Sequence, residues 1–153
     1  MIPKQLKIAL KKNDLTFNYN ISSDFINHTK KEILEILKTH GFIEVNKILV
    51  DFLCYFLDKE LLFINSFNRA DNLHFKLKKA LKISYAIKAI ERDFDLEGLI
   101  PFGMLYREHM ELFIDKNDKV YANMDNILIH FGNEPFEALT NILNNKELER
   151  IEI

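Results

Sequence analysis

The chain has 153 residues, with 21 Lys and Arg against 23 Asp and Glu, 13 Phe, no Trp and one cysteine. A chain of this length can bury about two-thirds of the surface it exposes when unfolded, so it needs neither metal nor disulfide to fold. The lone Cys54 excludes an intramolecular bridge and fits a reducing compartment, and the slightly acidic balance disfavours binding to a phosphate backbone.

The amino-terminal stretch MIPKQLKIALKKND is basic, but its longest apolar run is Ile8-Ala9-Leu10, too short for a secretory signal. Within residues 1–21, IPKQLKIALKK can be read as a short amphipathic helix and LTFNYNI (Leu15 to Ile21) alternates like a strand. Ser22-Ser23-Asp24 offers a short side-chain oxygen to the free N–H groups of a first helical turn. Ile26, Ile33, Ile36 and Leu37 then recur at helical spacing, and Gly41 supplies a left-handed stop, so a helix is expected over about 23–39.

Asn46 stands where a second helix, about 47–58, would be capped. Its segment ILVDFLCYFL (Ile48 to Leu57) is apolar on most sides. That is about half the ~20 residues needed to cross a bilayer, so it reads as a central buried helix in a soluble cytoplasmic protein. ELLFINSF (Glu60 to Phe67) and LHFKLK (Leu73 to Lys78) are expected as a hairpin with NRADN (Asn68 to Asn72) as its turn. A third helix is expected from Ser84 to Phe94 on the stripe Ile83, Ala86, Ile87, Ile90 and Phe94. LIPFGML (Leu99 to Leu105) then opens a strand-rich end, with Pro101 suited to the edge or start of a strand.

From Met110 the period is two. Met110, Leu112 and Ile114 alternate with Glu111, Phe113 and Asp115; Lys116 to Asp118 is a turn in which Asn117 or Asp118 takes positive φ. Val120, Ala122 and Met124 form the next strand, Asp125-Asn126 a tight turn, and Ile127, Ile129 and Phe131 the strand after it. Gly132 ends that strand, Asn133 is placed to cap, and Pro135 fits the first turn of a helix whose stripe is Phe136, Leu139, Ile142 and Leu143. The expected fold is α+β: an antiparallel sheet of about five to six strands against three to four helices, with a C-terminal meander followed by a helix, in one domain spanning 1–153.

No residue pattern carries chemistry. The histidines His28, His40, His74, His109 and His130 show no metal-ligand spacing. Cys54 lies in the most apolar segment with no neighbouring base in sequence to hold a thiolate, and the four glycines are scattered singly, so no phosphate-cradling loop is present. Asp115-x-Asn117-Asp118 lacks the glycine and terminal Glu of a calcium loop and reads as turn chemistry. The basic stretch KLKKALK (Lys76 to Lys82) reads as a solvated face. No catalytic residue, metal or cofactor is expected, and no nucleic-acid or membrane partner.

Charge is uneven along the chain: residues 1–92 carry 16 Lys/Arg and 10 Asp/Glu, whereas residues 93–153 carry 5 and 13. Either the charges scatter over the surface, or the second part forms an acidic side that attracts a basic partner.

GLIPFG, then ELFIDKNDKVY, then ILIHFGNEPFEALTNIL resemble the carboxy-terminal half of the SUKH superfamily. The matching positions are Pro101 and Gly103, Asp115, Val120 and Tyr121, Gly132, and Phe136, Ala138 and Leu139. The likeness spans about residues 23–147 and leaves 1–21 as an unmatched extension; the turn glycine usual in that superfamily is Asp118 here. The resemblance implies a non-enzymatic immunity protein of a bacterial polymorphic toxin or contact-dependent competition system. Such a protein neutralises a cognate toxin, often a nuclease, by direct stoichiometric binding in the cytoplasm. The alternative is a regulatory or scaffolding interaction domain. On the first reading the partner-contacting residues are the acids Asp95, Glu97, Glu108, Glu111, Asp115, Asp118 and Asp125, with Tyr106 and Tyr121 as aromatic anchors.

Overall fold

A computed structural model describes residues 1–15, 17 and 20–152. The elements run α1 (Lys4–Lys12), α2 (Ser23–Thr39), α3 (Lys47–Phe56), β1 (Glu60–Ile64), β2 (Ala70–His74), α4 (Leu77–Ala80), a 3₁₀ segment (Leu81–Ala86), α5 (Ile87–Phe94), β3 (Ile100–Leu105), β4 (Met110–Ile114), β5 (Val120–Met124), β6 (Ile127–Gly132), α6 (Pro135–Leu143) and β7 (Arg150–Glu152). The fold is α+β. The seven strands form one sheet whose spatial order is the chain order, every neighbouring pair antiparallel.

The strand count exceeds the expected five to six because β7 is added by the chain end, where Ile151 opposite Leu128 is a short pairing with little periodicity to announce it. Residues 4–12 are helical, which settles the first of the two readings. The expected strand at 15–21 falls partly outside the described residues; Leu15, Phe17, Asn20 and Ile21 lie in no regular element.

The first hairpin is shifted from its expected place. Asn65 Oδ1 accepts hydrogen bonds from the N–H groups of Phe67 (2.9 Å) and Arg69 (3.1 Å), which puts the turn at 65–69. Ala70 to Asn72, expected as turn, is therefore strand, while Leu77 and Lys78, expected as strand, open a helical turn. Residues 81–86 wind as 3₁₀, so the third helix proper starts at Ile87.

The helix ends follow capping chemistry. Ser22 Oγ accepts from Phe25 N–H at 3.1 Å, and Gly41 (φ +89°) closes α2. At α6 the cap is Glu134, not Asn133: its carboxylate accepts from the N–H groups of Phe136 (2.8 Å) and Glu137 (2.7 Å). Glu137 in turn accepts from Asn133 N–H at 3.0 Å.

One face of the sheet carries the main core. Phe52 of α3 is its hub, with ring centroids 4.7 Å from Phe56, 5.0 Å from Phe75, 5.2 Å from Phe136 and 6.1 Å from Phe102. Leu6 and Leu10 of α1, Ile33 and Leu37 of α2, and Leu139 and Leu143 of α6 complete it. The opposite face is also covered in part: Ile87 and Ile90 of α5 pack on Leu99 and Phe113 in a second, smaller cluster. Phe113, on the more polar face by sequence alternation, is thus fully buried.

The free edge of β1 is closed at Ile64. Its N–H donates to Asn13 Oδ1 (3.4 Å) and its carbonyl accepts from Asn145 Nδ2 (2.7 Å). Asn13 also donates to the Leu143 carbonyl at 3.3 Å, so the ends of α1 and α6 are tied to the first strand.

Candidate partner-binding surface

Antiparallel strands in chain order place alternate turns at opposite ends of the sheet. The turns 65–69, 106–109 and 125–126 share one end, and the 115–119 turn lies at the other. Of the nine residues singled out in the sequence, eight divide between these ends and Tyr121 lies within β5.

At the 115–119 end the acids are largely engaged. Asp115 is buried, and its Oδ1 accepts from the N–H groups of Asn117 (2.8 Å) and Lys119 (3.0 Å). Asp118 takes φ +70° and accepts from Asn46 Nδ2 at 2.7 Å. Asn46 stands at the cap position of α3 but spends its side chain on this turn, donating also to the Asp115 carbonyl at 2.9 Å. Glu97 is exposed and pairs with Lys116, which holds its carboxyl below the usual range. Asp95 is exposed, in the left-handed position that ends α5. A cleft of about 910 Å³ opens here between the 40–46 loop and α5, with the exposed Ile43 and Tyr85 among its lining residues.

Tyr121 is the second residue of β5. It is buried, its ring centroid 5.1 Å from that of His130, and burial raises its phenol pKa.

The other end is built on a strained turn. Tyr106, Arg107 and Glu108 hold φ values of +53°, +54° and +68° in succession. Left-handed backbone costs a residue other than glycine on the order of 1 kcal/mol or more, and this turn is held by named partners from β2. Tyr106 N–H donates to the Asn72 carbonyl (2.9 Å) and Arg107 N–H to Asn72 Oδ1 (2.7 Å). The Tyr106 ring lies 6.2 Å from Phe63, and burial raises its pKa. Glu108 is gripped from below by Lys79 and by His74, whose Nε2 lies 3.1 Å from the carboxylate. His74 Nδ1 accepts from Lys76 N–H (3.2 Å), so Nε2 carries the proton and donates to Glu108. Lys79 is the main cause that holds the Glu108 carboxyl below its usual range.

Further along the same end, Glu111 on β4 is half-buried. Desolvation raises its pKa, and the charge of Asp125 adds to the rise. Asp125 is exposed in the β5–β6 turn with φ +51°. The sequence reading missed Asn46, Asn72, His74 and Arg107. The first three act through contacts 34 or more positions away in the chain, which no local spacing reveals.

No group of three or more His, Cys, Asp or Glu among the described residues is arranged to hold a metal ion. No helix among them is long and apolar enough to cross a membrane. Asp95, Glu97, Arg107, Glu108 and Asp125 are exposed and lie in turns or loops between the elements.

The sequence model of SUKH-3 immunity proteins matches residues 63–145, more than half of the chain. The chain belongs to the SUKH-3 immunity protein family. The matched span runs from Phe63 in β1 through α6, so it includes the whole meander and the strained turn, but not Asn46 or the 40–46 loop. No curated protein and no solved structure matches the chain.

Proposed function

We propose that the protein is the immunity component of a bacterial polymorphic toxin or contact-dependent competition system, acting in the cytoplasm of the producing cell by one-to-one binding of a cognate toxin. Membership of the SUKH-3 family carries this reading. The absence of a reactive constellation in the sequence agrees with an inhibitor that works by occlusion.

The toxin on this reading is a nuclease, whose substrate site must be basic to hold phosphates. An acidic surface laid over that site excludes nucleic acid and accelerates encounter. Asp95, Glu97, Glu108 and Asp125 are the exposed sequence-predicted acids, with Glu111 and Asp118 partly so; Glu108 is also held by His74 and Lys79. Asp115, Asp118 and Tyr121 support those surfaces from within.

The test is co-expression with the toxin domain encoded immediately upstream. Cells carrying the toxin alone are expected to die and cells carrying both to survive, with a 1:1 complex on size-exclusion chromatography. Survival that does not require this protein, or no complex, overturns the proposal.

A further inference from the structure

The 65–69 and 106–109 turns form a cationic, aromatic half of the loop end, distinct from the acidic half at Asp125. Asp71, Glu60 and Glu108 around these turns are bonded within the chain, whereas Glu147, which lines a cleft with Ser66 and Tyr106, is exposed. Asp71 accepts from Asn65 Nδ2 (3.4 Å) and Asn72 N–H (2.9 Å). Glu60 is held by Asn72 Nδ2 (2.8 Å) and Lys76 (3.4 Å), and Glu108 by His74 and Lys79.

The cations are not consumed. Arg69 and Arg107 are both exposed and make no ion pair among the described residues. Phe67, at the hairpin tip, is 82% exposed. Arg107 is anchored at Asn72, and β2 runs from there to Arg69 over about 10 Å at the usual strand rise. Arginine and large aromatics are enriched among the residues that dominate protein–protein binding energy, and the left-handed backbone at Arg107 is held by Asn72 while its side chain stays exposed.

We infer that Arg107 and Phe67, with Arg69, are the specificity anchors of the toxin contact, and that they read an acidic patch with an adjoining apolar pocket on the toxin surface. Asn72 and His74 are positioning residues for this contact. The inference rests on the proposed function and deepens it. An acidic half over the toxin's basic site and a cationic half over neighbouring carboxylates fix one docking register, because the reversed orientation sets like charges together.

The probe is the purified toxin domain encoded immediately upstream, titrated with the full chain by calorimetry. Arg107→Gly removes the guanidinium and suits a positive φ. It is expected to leave the melting temperature unchanged or raised while weakening binding at least tenfold. Arg107→Glu is expected to bind more weakly still, and Phe67→Ala to lose at least tenfold with no change in melting. Wild-type binding with Arg107→Gly and Phe67→Ala unimpaired overturns this inference and leaves the immunity reading standing. Arg107→Glu as tight as wild type overturns the acidic character of the partner surface. Failure of the wild-type chain to bind overturns both readings.

Discussion

Asn46 and Asp118, 72 positions apart, are joined by a 2.7 Å hydrogen bond that fastens the start of α3 to the β4–β5 turn. The same amide group donates to the Asp115 carbonyl at 2.9 Å, so one side chain holds both ends of the turn. Asn46→Ala leaves these acceptors in a partly buried site without their donor, at an expected cost of about 1–3 kcal/mol. Asp118→Gly loses the bond but relieves the left-handed backbone, whereas Asp118→Ala loses the bond and keeps the strain. Urea unfolding is expected to rank Asp118→Gly above Asp118→Ala in stability; the reverse order would show that the turn is not strained.

Gly132 is where β6 meets α6. A Cβ there would lie 2.7 Å from the backbone N of Ala138 and 3.0 Å from its Cα. Those are helix backbone atoms, which cannot rotate aside, so Gly132→Ala must push α6 off the sheet. The expected loss is about 2 kcal/mol or more, read as a lowered denaturation midpoint with an unchanged slope. An unchanged midpoint would mean that α6 shifts at no cost.

His74 gives stability a pH dependence of definite sign. It is buried, and desolvation lowers its pKa; Glu108 opposes that shift, while Lys76 and Lys79 reinforce it. Glu60 also lies within electrostatic reach of the ring. Above the ordinary histidine value of about 6.5 the ring is neutral in both folded and unfolded chains and contributes no slope. As pH falls below that value the unfolded chain takes up the proton first, so stability falls until pH reaches the lower folded value. Urea midpoints are expected to drop from pH 7.5 to 5.5 at about 100 mM salt, and His74→Gln to flatten that drop. Equal slopes for the two proteins would refute the assignment. Glu108, held ionised mainly by Lys79, adds a separate loss at more acid pH.

Phe52 touches four other rings and is fully buried. Phe52→Ala is expected to cost about 3–5 kcal/mol, and Phe52→Leu markedly less because most of the volume is kept. Thermal melts of the two variants decide the matter; equal losses would mean that ring geometry rather than volume holds this core.

The meander and α6 were legible in the sequence because each signal is local. Alternation sets Leu112 and Ile114 on the core face, Asp118 takes the expected positive φ, and Pro135 starts the helix. What was misread depends on partners distant in the chain or on competing turn chemistry. Asn65 captured the hairpin turn from the richer-looking 68–72 stretch. Phe113 looked half-exposed until α5 crossed the second face. The turn role of Asp115 is local and legible as turn chemistry, whereas Glu108 is engaged by His74, 34 positions away, which sequence spacing does not show. Arg107 drew no notice because a single surface arginine has no pattern; only its backbone conformation sets it apart.

Because each strand is hydrogen-bonded to the one made just before it, the sheet can grow by successive addition as the polypeptide leaves the ribosome, with only short turns to close within the β1–β2 hairpin and the β3–β6 meander. The clasp of Asn13 and Asn145 on Ile64 then occupies the outward backbone groups at one end of β1, shortening the edge a stray strand could pair with. Removing that clasp would lengthen the exposed edge of β1 by one residue pair and favour self-association there.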